Sequence, residues 1–389
     1  MRRALLVLNT GSSSIKFAVH DAESAARLAD GAIEGIGRAA DLTLRHAGAT
    51  HRLPVEGGHL ADTGALLEWL LQRLCDQLGP MAVTAAGHRV VHGGQQFCGP
   101  VVVTPAVMQA LQALCPLAPG HQPHNLAGIR AVAARWPDSA QIACFDTAFH
   151  QTRPRVAQIF AVPRALSDEG ILRYGFHGLS FDHIAGRLAE VLGDKVAQGK
   201  VIVAHLGSGA SLCAMQNGKS IDTTMGFTAL DGLMMGTRCG QIDPGVLLHL
   251  MREKGLDGPA LETLLGRESG LLGVSGISAD MRDLLDSPAP QAAEAVALFV
   301  HMILRQIGAL TASLGGLDGL VFTAGIGERS AAIRMQVMAG LHWLGLVPDE
   351  DANRTHGPLI SAPRSAVAAA MIPTDEEAVI LRAVLALRG

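Results

Sequence analysis

The chain has 389 residues, 49% of them hydrophobic and 17% charged, and a formal net charge of -4. This is a globular composition and not a disordered one, and its length exceeds the size at which one core usually keeps growing, so roughly two domains are expected. The charge excludes an electrostatic argument for nucleic acid or an anionic membrane as partner.

In chain order, the apolar stretch from Ala4 to Leu8 comes first. It is too short and too soon interrupted for a signal peptide, and no later run approaches the roughly 18 apolar residues of a membrane span, so a cytoplasmic protein is expected. Strands are expected at 4–9, 14–20, 83–91, 140–145, 200–206, 210–216 and 318–323, all short and rich in Val, Ile, Leu and Ala. Between them lie amphipathic patterns. TGALLEWLLQRLCDQLG puts Leu66, Leu67, Leu70, Leu71, Leu74 and Leu78 on one stripe. NLAGIRAVAARW, LSFDHIAGRLAEVLG and QAAEAVALFVHMILRQIGALTASLGG repeat the i, i+3, i+4 spacing. Helices covering sheet faces follow, in an α/β or mixed fold. The six cysteines (Cys75, Cys98, Cys115, Cys144, Cys213 and Cys239) contain no C-x-x-C pair, so no structural disulfide is expected.

The first two strands flank NTGSSSIK, and near the midpoint VIVAHLGSGASLCAMQNG repeats the pattern of strand, small-residue turn and strand. Aligning Gly11 with Gly207 gives an offset of 207 minus 11, or 196 residues, close to half the chain. Two similar halves account for this, although hairpins also look alike because their turns reuse Gly and Ser. A Gly/Ser turn presents several backbone N–H groups and hydroxyls on one concave edge, which suits phosphate oxygens, and Lys16 adds a point charge. This is no P-loop: G-x-x-x-x-G-K-[ST] is absent, and Ile15, Phe17 and Val19 alternate after the turn as in a strand. A third glycine turn, FTAGIGERS, follows the strand-like GLVF.

The segments NTGSSSIK, HRVVHGG, FDTAFH, YGFHGLS, HLGSGAS, DTTMGFTALDGLMMGTRCGQIDP, GVSGISADMRD, FTAGIGERS and IPTDEEA resemble, in order and spacing, the motifs of the acetate kinase family, over essentially the whole chain. The resemblance implies an α/β fold of two duplicated ribonuclease H-like (actin-like ATPase) domains around an ATP cleft, in a homodimer. The first domain is expected over 1–150 plus 376–389 and the second, nucleotide-binding, over 151–375. The implied reaction is reversible Mg²⁺-dependent transfer of the ATP γ-phosphoryl group to acetate, with propionate also accepted and Mn²⁺ as the alternative metal.

Phosphoryl transfer needs positioning and positive charge more than covalent help from the protein. By similarity, Arg89 holds the carboxylate substrate and Arg238 stabilises the moving phosphoryl group, as a planar guanidinium does through paired bonds. His177 matches the histidine that donates to transition-state oxygens. Asp146 follows a strand. Because a carboxylate substrate is already ionised at pH 7, Asp146 is expected to orient an arginine or act through the metal rather than serve as an obligatory base. Asn9 and Glu376 match the Mg²⁺ positions, where oxygen ligands suit the ion. Phosphate contacts are implied at Ser12, Lys16, His205, Leu206, Gly207, Ser208 and Gly209. Adenosine contacts are implied at Asp280, Met281, Arg282, Gly325, Ile326, Gly327, Glu328 and Arg329. Val91, Gly120, His121, Phe176 and Ala229 match the acyl pocket. A zinc site at His88 with His92, or His121 with His124, lacks the further ligands of a closed site.

The sequence departs from the family at Ser208, Gln241 and Arg329 near the nucleotide, which leaves the donor open. Gly120 stands where a leucine is usual and Ala229 where a proline is usual, which is expected to enlarge the acyl pocket. Two other classes share the phosphate hairpins. A nucleotide-switched binding protein has no need of two arginines beside an apolar pocket, and a sugar or polyol kinase needs a base and polar pocket side chains.

Overall fold

The computed structural model describes residues 2–36, 40–55 and 62–388. It divides into two compact units, Met1–Ala148 with Asp375–Gly389, and Phe149–Thr374.

The sheet of the first unit contains β1 (Arg2–Thr10), β2 (Ser14–Asp21), β3 (Arg27–Glu34), β4 (Asp41–His46), β5 (Ala49–Pro54), β6 (Met81–Val90), β7 (Val101–Val102) and β8 (Ala140–Phe145), in the order β5-β4-β3-β2-β1-β6-β8-β7. β1 runs antiparallel to β2 and parallel to β6, and β6 runs parallel to β8. The sheet of the second unit contains β9 (Lys200–Leu206), β10 (Ala210–Gln216), β11 (Lys219–Thr223), β12 (Gly319–Thr323) and β13 (Ala368–Met371), in the order β11-β10-β9-β12-β13. Here β9 runs antiparallel to β10 and parallel to β12, and β12 runs parallel to β13. The second sheet thus repeats the β3-β2-β1-β6-β8 portion of the first in order and direction. All seven expected strands form. The additional strands β3, β4, β5, β7, β11 and β13 are short, polar or alanine-rich and lack the apolar run that marks the others.

The two glycine hairpins correspond closely. Thr10 pairs with Ile15 and encloses residues 11–14, and Leu206 pairs with Ala210 and encloses 207–209, one residue fewer. In each, the leading glycine donates its N–H across the turn: Gly11 to the Ser14 carbonyl and Gly207 to the Gly209 carbonyl, both at 2.9 Å. Period-two alternation sends Ile15, Phe17 and Val19 into the core and leaves Lys16 exposed.

The helix Thr63–Leu78 starts at Asp62, whose carboxylate accepts from the N–H groups of Gly64 and Ala65, and it ends at Gly79. Leu66, Leu67, Leu70, Leu71 and Leu74 join Leu6, Leu8 and Phe17 in one core. The C-terminal helix Glu376–Leu387 packs on β1, β6 and β8. Gly87 permits this approach, because a Cβ there would lie 2.4 Å from Ile380 and 2.6 Å from Val384. In the second unit the helix Gly178–Leu192 packs on β9 and β13. The 25-residue helix Pro290–Leu314 packs on β9, β10 and β11. By length and composition this last helix could cross a bilayer, with a mean hydropathy of 1.6, contrary to the expectation that no segment comes near. Its buried face, which includes Phe299, Ile303, Ile307 and Leu310, marks it as a core helix. All six cysteines are free thiols.

Candidate active site

In the first unit, three parallel strands bring three polar side chains to their C-terminal ends, where α/β sheets place their binding crevices. Asn9 lies one residue before the end of β1, Arg89 one before the end of β6, and Asp146 directly after β8. The Arg89 guanidinium donates to Asp146 from Nη2 at 2.6 Å to Oδ2, and from Nε at 3.0 Å to Oδ2 and 3.2 Å to Oδ1. Its Nη1 donates to Asn9 Oδ1 at 3.2 Å, and Asn9 Nδ2 donates in turn to Glu376 Oε2 at 3.3 Å. Asp146 is 1% exposed and the Arg89 side chain 16% exposed. Burial opposes the arginine's charge, but the carboxylates of Asp146 and Glu376 outweigh it and hold the guanidinium pKa above its ordinary value. The four residues, far apart in sequence, form one chain of bonds. Lys16 pairs with Asn9 across the β1–β2 ladder, and Ser12 lies exposed in the turn.

Two buried amides support this end of the sheet. Asn125 accepts from Val91 N–H at 2.8 Å and donates to the Thr10 carbonyl at 2.5 Å. Gln122 accepts from His92 N–H at 3.2 Å and donates to the carbonyls of His92 and Leu111. Sequence reasoning missed both. Their signal is two amides three residues apart, and so on one face, in the helix Gln122–Arg135, whose charged residues Arg130 and Arg135 lie further along. Val91 is buried, His121 stands at the N-terminus of this helix, and Gly120 is exposed. A Cβ at Gly120 would meet nothing within 4 Å.

In the second unit, YGFHGLS, HLGSGAS and MMGTRCG converge on Gly209. A Cβ there would lie 3.2 Å from His177 Nε2 and 3.3 Å from Arg238 Nη2. The His177 ring stacks on His205 with centroids 4.2 Å apart, and its Nδ1 is 2.9 Å from Ser211 Oγ. Arg238 Nη1 donates to the Ala229 carbonyl at 2.7 Å, so Ala229 meets the arginine through its backbone. Phe176 is buried. Gly207 lies against Ala324 and Gly325, which brings AGIGER to the second hairpin. The Ser208 carbonyl accepts from Gly236 N–H at 3.2 Å, and Gly236 lies against Ala279, just before Asp280.

Asp280 caps the helix Met281–Asp286. Hydrogen bonds from the Arg282 side chain and backbone push its carboxyl pKa down to about 2, with Arg329 adding to the effect. Glu328 accepts from the N–H groups of Ala324 and Thr374, and so ties the AGIGER segment to the chain that follows β13. Ile326 and Gly327 belong to the same short helix, Ala324–Arg329. Leu206 and Met281 are core side chains, at 0% and 3% exposure. Gln241 bonds to Gln306.

Two sheets that share a five-strand order, each with a glycine hairpin, with Asn9, Arg89 and Asp146 at strand ends in the first unit and His177 and Arg238 beside Gly209 in the second, fit one class: an α/β phosphotransfer enzyme. A family model described as the acetokinase family matches residues 4–382. An acetate kinase of Rhodopseudomonas palustris (strain TIE-1) is 52% identical over 98% of each chain. Among solved structures, an acetate kinase of Porphyromonas gingivalis aligns with a TM-score of 0.88 at 36% identity, covering 100% of both chains. A propionate kinase of Francisella tularensis aligns with 0.90 at 35% identity, covering 98% of both. The chain belongs to the acetokinase family.

Proposed function

We propose that the protein is an acetate kinase, which transfers the γ-phosphoryl group of ATP reversibly to the carboxylate of acetate, giving acetyl phosphate and ADP. The observation that carries this reading is the bonded chain Asp146–Arg89–Asn9–Glu376 at the ends of three strands, in a chain of this family. A carboxylate oxygen attacks the γ-phosphorus as the bond to the β–γ bridging oxygen breaks, and the electron pair leaves on ADP. No proton has to be removed from the nucleophile, since carboxyl groups of this kind are ionised at pH 7. Arg89 pairs with the substrate carboxylate, and Asp146 fixes the plane of its guanidinium. His177 and Arg238 donate to the oxygens on which charge builds.

Asn9 and Glu376 offer oxygen donors suited to Mg²⁺, and so small a protein set suits an ion that keeps several of its waters. When bound, the ion neutralises charge on the phosphoryl oxygens. Lys16, Ser12 and the His205–Gly209 turn receive the phosphates, and Asp280, Arg282 and Gly325–Arg329 the adenosine. Free cysteines fit a cytoplasmic enzyme. A homodimer is supported by the helix Pro244–Glu253, which has no buried residue and exposes Val246, Leu248 and Met251.

A second reading, a propionate or other short-chain fatty acid kinase, is favoured by the small residues Gly120 and Ala229 at positions matching the acyl pocket, and by the likeness to a propionate kinase. The reverse reaction tests the main proposal: acetyl phosphate and MgADP yield ATP in a luciferase assay. Absence of ATP formation from acetyl phosphate and from propionyl phosphate alike overturns both readings.

A further inference from the structure

His150, in the short turn Ala148–Thr152, has no role assigned above, yet it is fully buried with both ring nitrogens bonded, one of them to the backbone of the pocket residue Phe176. Its Nε2 lies 3.0 Å from the Phe176 carbonyl and its Nδ1 2.9 Å from Ser220 Oγ. A carbonyl only accepts, so Nε2 carries the hydrogen and Nδ1 accepts from the Ser220 hydroxyl. Cys213 Sγ, 3.4 Å from Ser220 Oγ, donates to that hydroxyl oxygen. The donors therefore run in one direction, from Cys213 through Ser220 and His150 to the Phe176 carbonyl.

That carbonyl belongs to the peptide that enters His177. His177 has φ 59 and ψ 23, the left-handed conformation, which is unfavourable for a non-glycine residue. Two residues earlier, Gly175 has φ 79, and a Cβ there would lie 2.7 Å from His150 Cδ2, so the imidazole fills the space against the loop. A conformation of this kind persists only where its surroundings hold it. The His150 ring supplies both a packing surface and a directed hydrogen bond. Burial, with Arg153 adding to it, lowers the His150 pKa to about 3, so the ring stays neutral near pH 7 and keeps this tautomer.

We propose that His150 is a positioning residue that sets the backbone of His177 and thereby the aim of its imidazole over Gly209. This rests on the kinase reading above. The test compares His150→Phe, which keeps ring volume without a donor, with His150→Gln, which retains a donor near the Nε2 position. Each is made alone and in a His177→Ala background, with acyl phosphate trapped as hydroxamate. The expected result for His150→Phe is a fall in kcat of roughly 10- to 100-fold, the scale of a misplacement near 1 Å, with the KM for ATP within about threefold of wild type. His150→Gln is expected to recover most of that loss. In the His177→Ala background, His150→Phe is expected to cost less than about twofold, since residues acting as one unit do not add. If His150→Phe does not fold, Ser220→Ala, which removes the donor to Nδ1, decides by the same criterion of loss only where His177 is present.

An equal loss with and without His177 overturns the proposal, as does unchanged kcat in a folded His150→Phe enzyme. Wild-type protein that forms no acyl phosphate overturns the kinase reading, and this inference with it.

Discussion

Arg89 and Asp146 form a two-pronged ion pair, with Nη2 and Nε of the guanidinium 2.6 Å and 3.0 Å from one carboxylate oxygen of a side chain that is 1% exposed. The pair leaves Nη1 on Asn9 and sets the plane of the guanidinium. Asp146→Asn leaves a mostly buried cation without its counter-charge, so we predict a loss of about 3–5 kcal/mol in unfolding free energy, measured by urea titration. Arg89→Lys keeps the charge but not the fork, and kcat/KM for acetate is expected to fall about 100-fold. A lysine enzyme within threefold of wild type contradicts the two-pronged role.

Glu376 is linked to this pair by a hydrogen bond through Asn9, at 3.3 Å, besides its charge acting on Arg89, and its side chain is half-buried. Glu376→Ala is therefore expected to leave the melting temperature within about 2 °C, since a partly exposed contact contributes little to stability. The Mg²⁺ concentration giving half-maximal rate is expected to rise about tenfold or more, with a smaller change in the KM for acetate. An unchanged Mg²⁺ dependence removes Glu376 from the metal site.

Gly209 carries the contacts of the second unit. A Cβ there would meet His177 Nε2 and Arg238 Nη2 at 3.2 and 3.3 Å, so Gly209→Ala forces one or both to move by a few tenths of an ångström. The expected outcome is a roughly 10- to 100-fold drop in kcat with an unchanged circular dichroism spectrum. Full activity shows that neither group needs its present place.

Three histidines are held neutral by burial: the pKa is about 4 for His88 and His92 and about 3 for His150, against 6.5 unfolded. Below pH 6.5 the unfolded chain takes up protons that the folded chain refuses. Their contribution to stability is therefore complete above pH 6.5 and is lost as pH falls from 6.5 towards 4, by up to about 1.4 kcal/mol per pH unit for each histidine. Melting temperatures at pH 7.5, 6.5, 5.5 and 4.5 should fall progressively from 6.5 downward. A flat profile across that range shows that these rings are protonated in the folded protein.

The parts legible in the sequence are those with a local signature. The hairpins at Gly11 and Gly207 declare themselves by an apolar run broken by small residues, and the Leu66–Leu74 stripe by its period. The duplication they imply is present in the order of the two sheets. The strands β3 to β5 are less legible because β3 and β4 bury only alternate residues, and β5, at the sheet edge, is nearly all exposed. Contacts such as Arg89 with Asp146, 57 residues apart, depend on strand order, which periodicity alone does not give; here the family motifs pointed to both residues. Gln122, Asn125 and His150 act through backbone atoms of other segments; the shared helix face of the two amides hints at burial, but nothing local names the backbone groups they meet.

The most direct test of the central claim is hydroxylamine trapping with purified protein, MgATP and matched concentrations of acetate, propionate, butyrate and glycerol. The account predicts acyl hydroxamate from acetate and propionate at comparable rates, because Gly120 and Ala229 put small side chains at positions matching the acyl pocket, and each methylene buried there contributes about 0.8 kcal/mol, a factor of about four, against the cost of a longer chain. Glycerol is expected to stimulate no ADP release. Hydroxamate absent with every acid, while ATP still binds, would contradict the account, and ADP release driven by glycerol would place the enzyme among the polyol kinases.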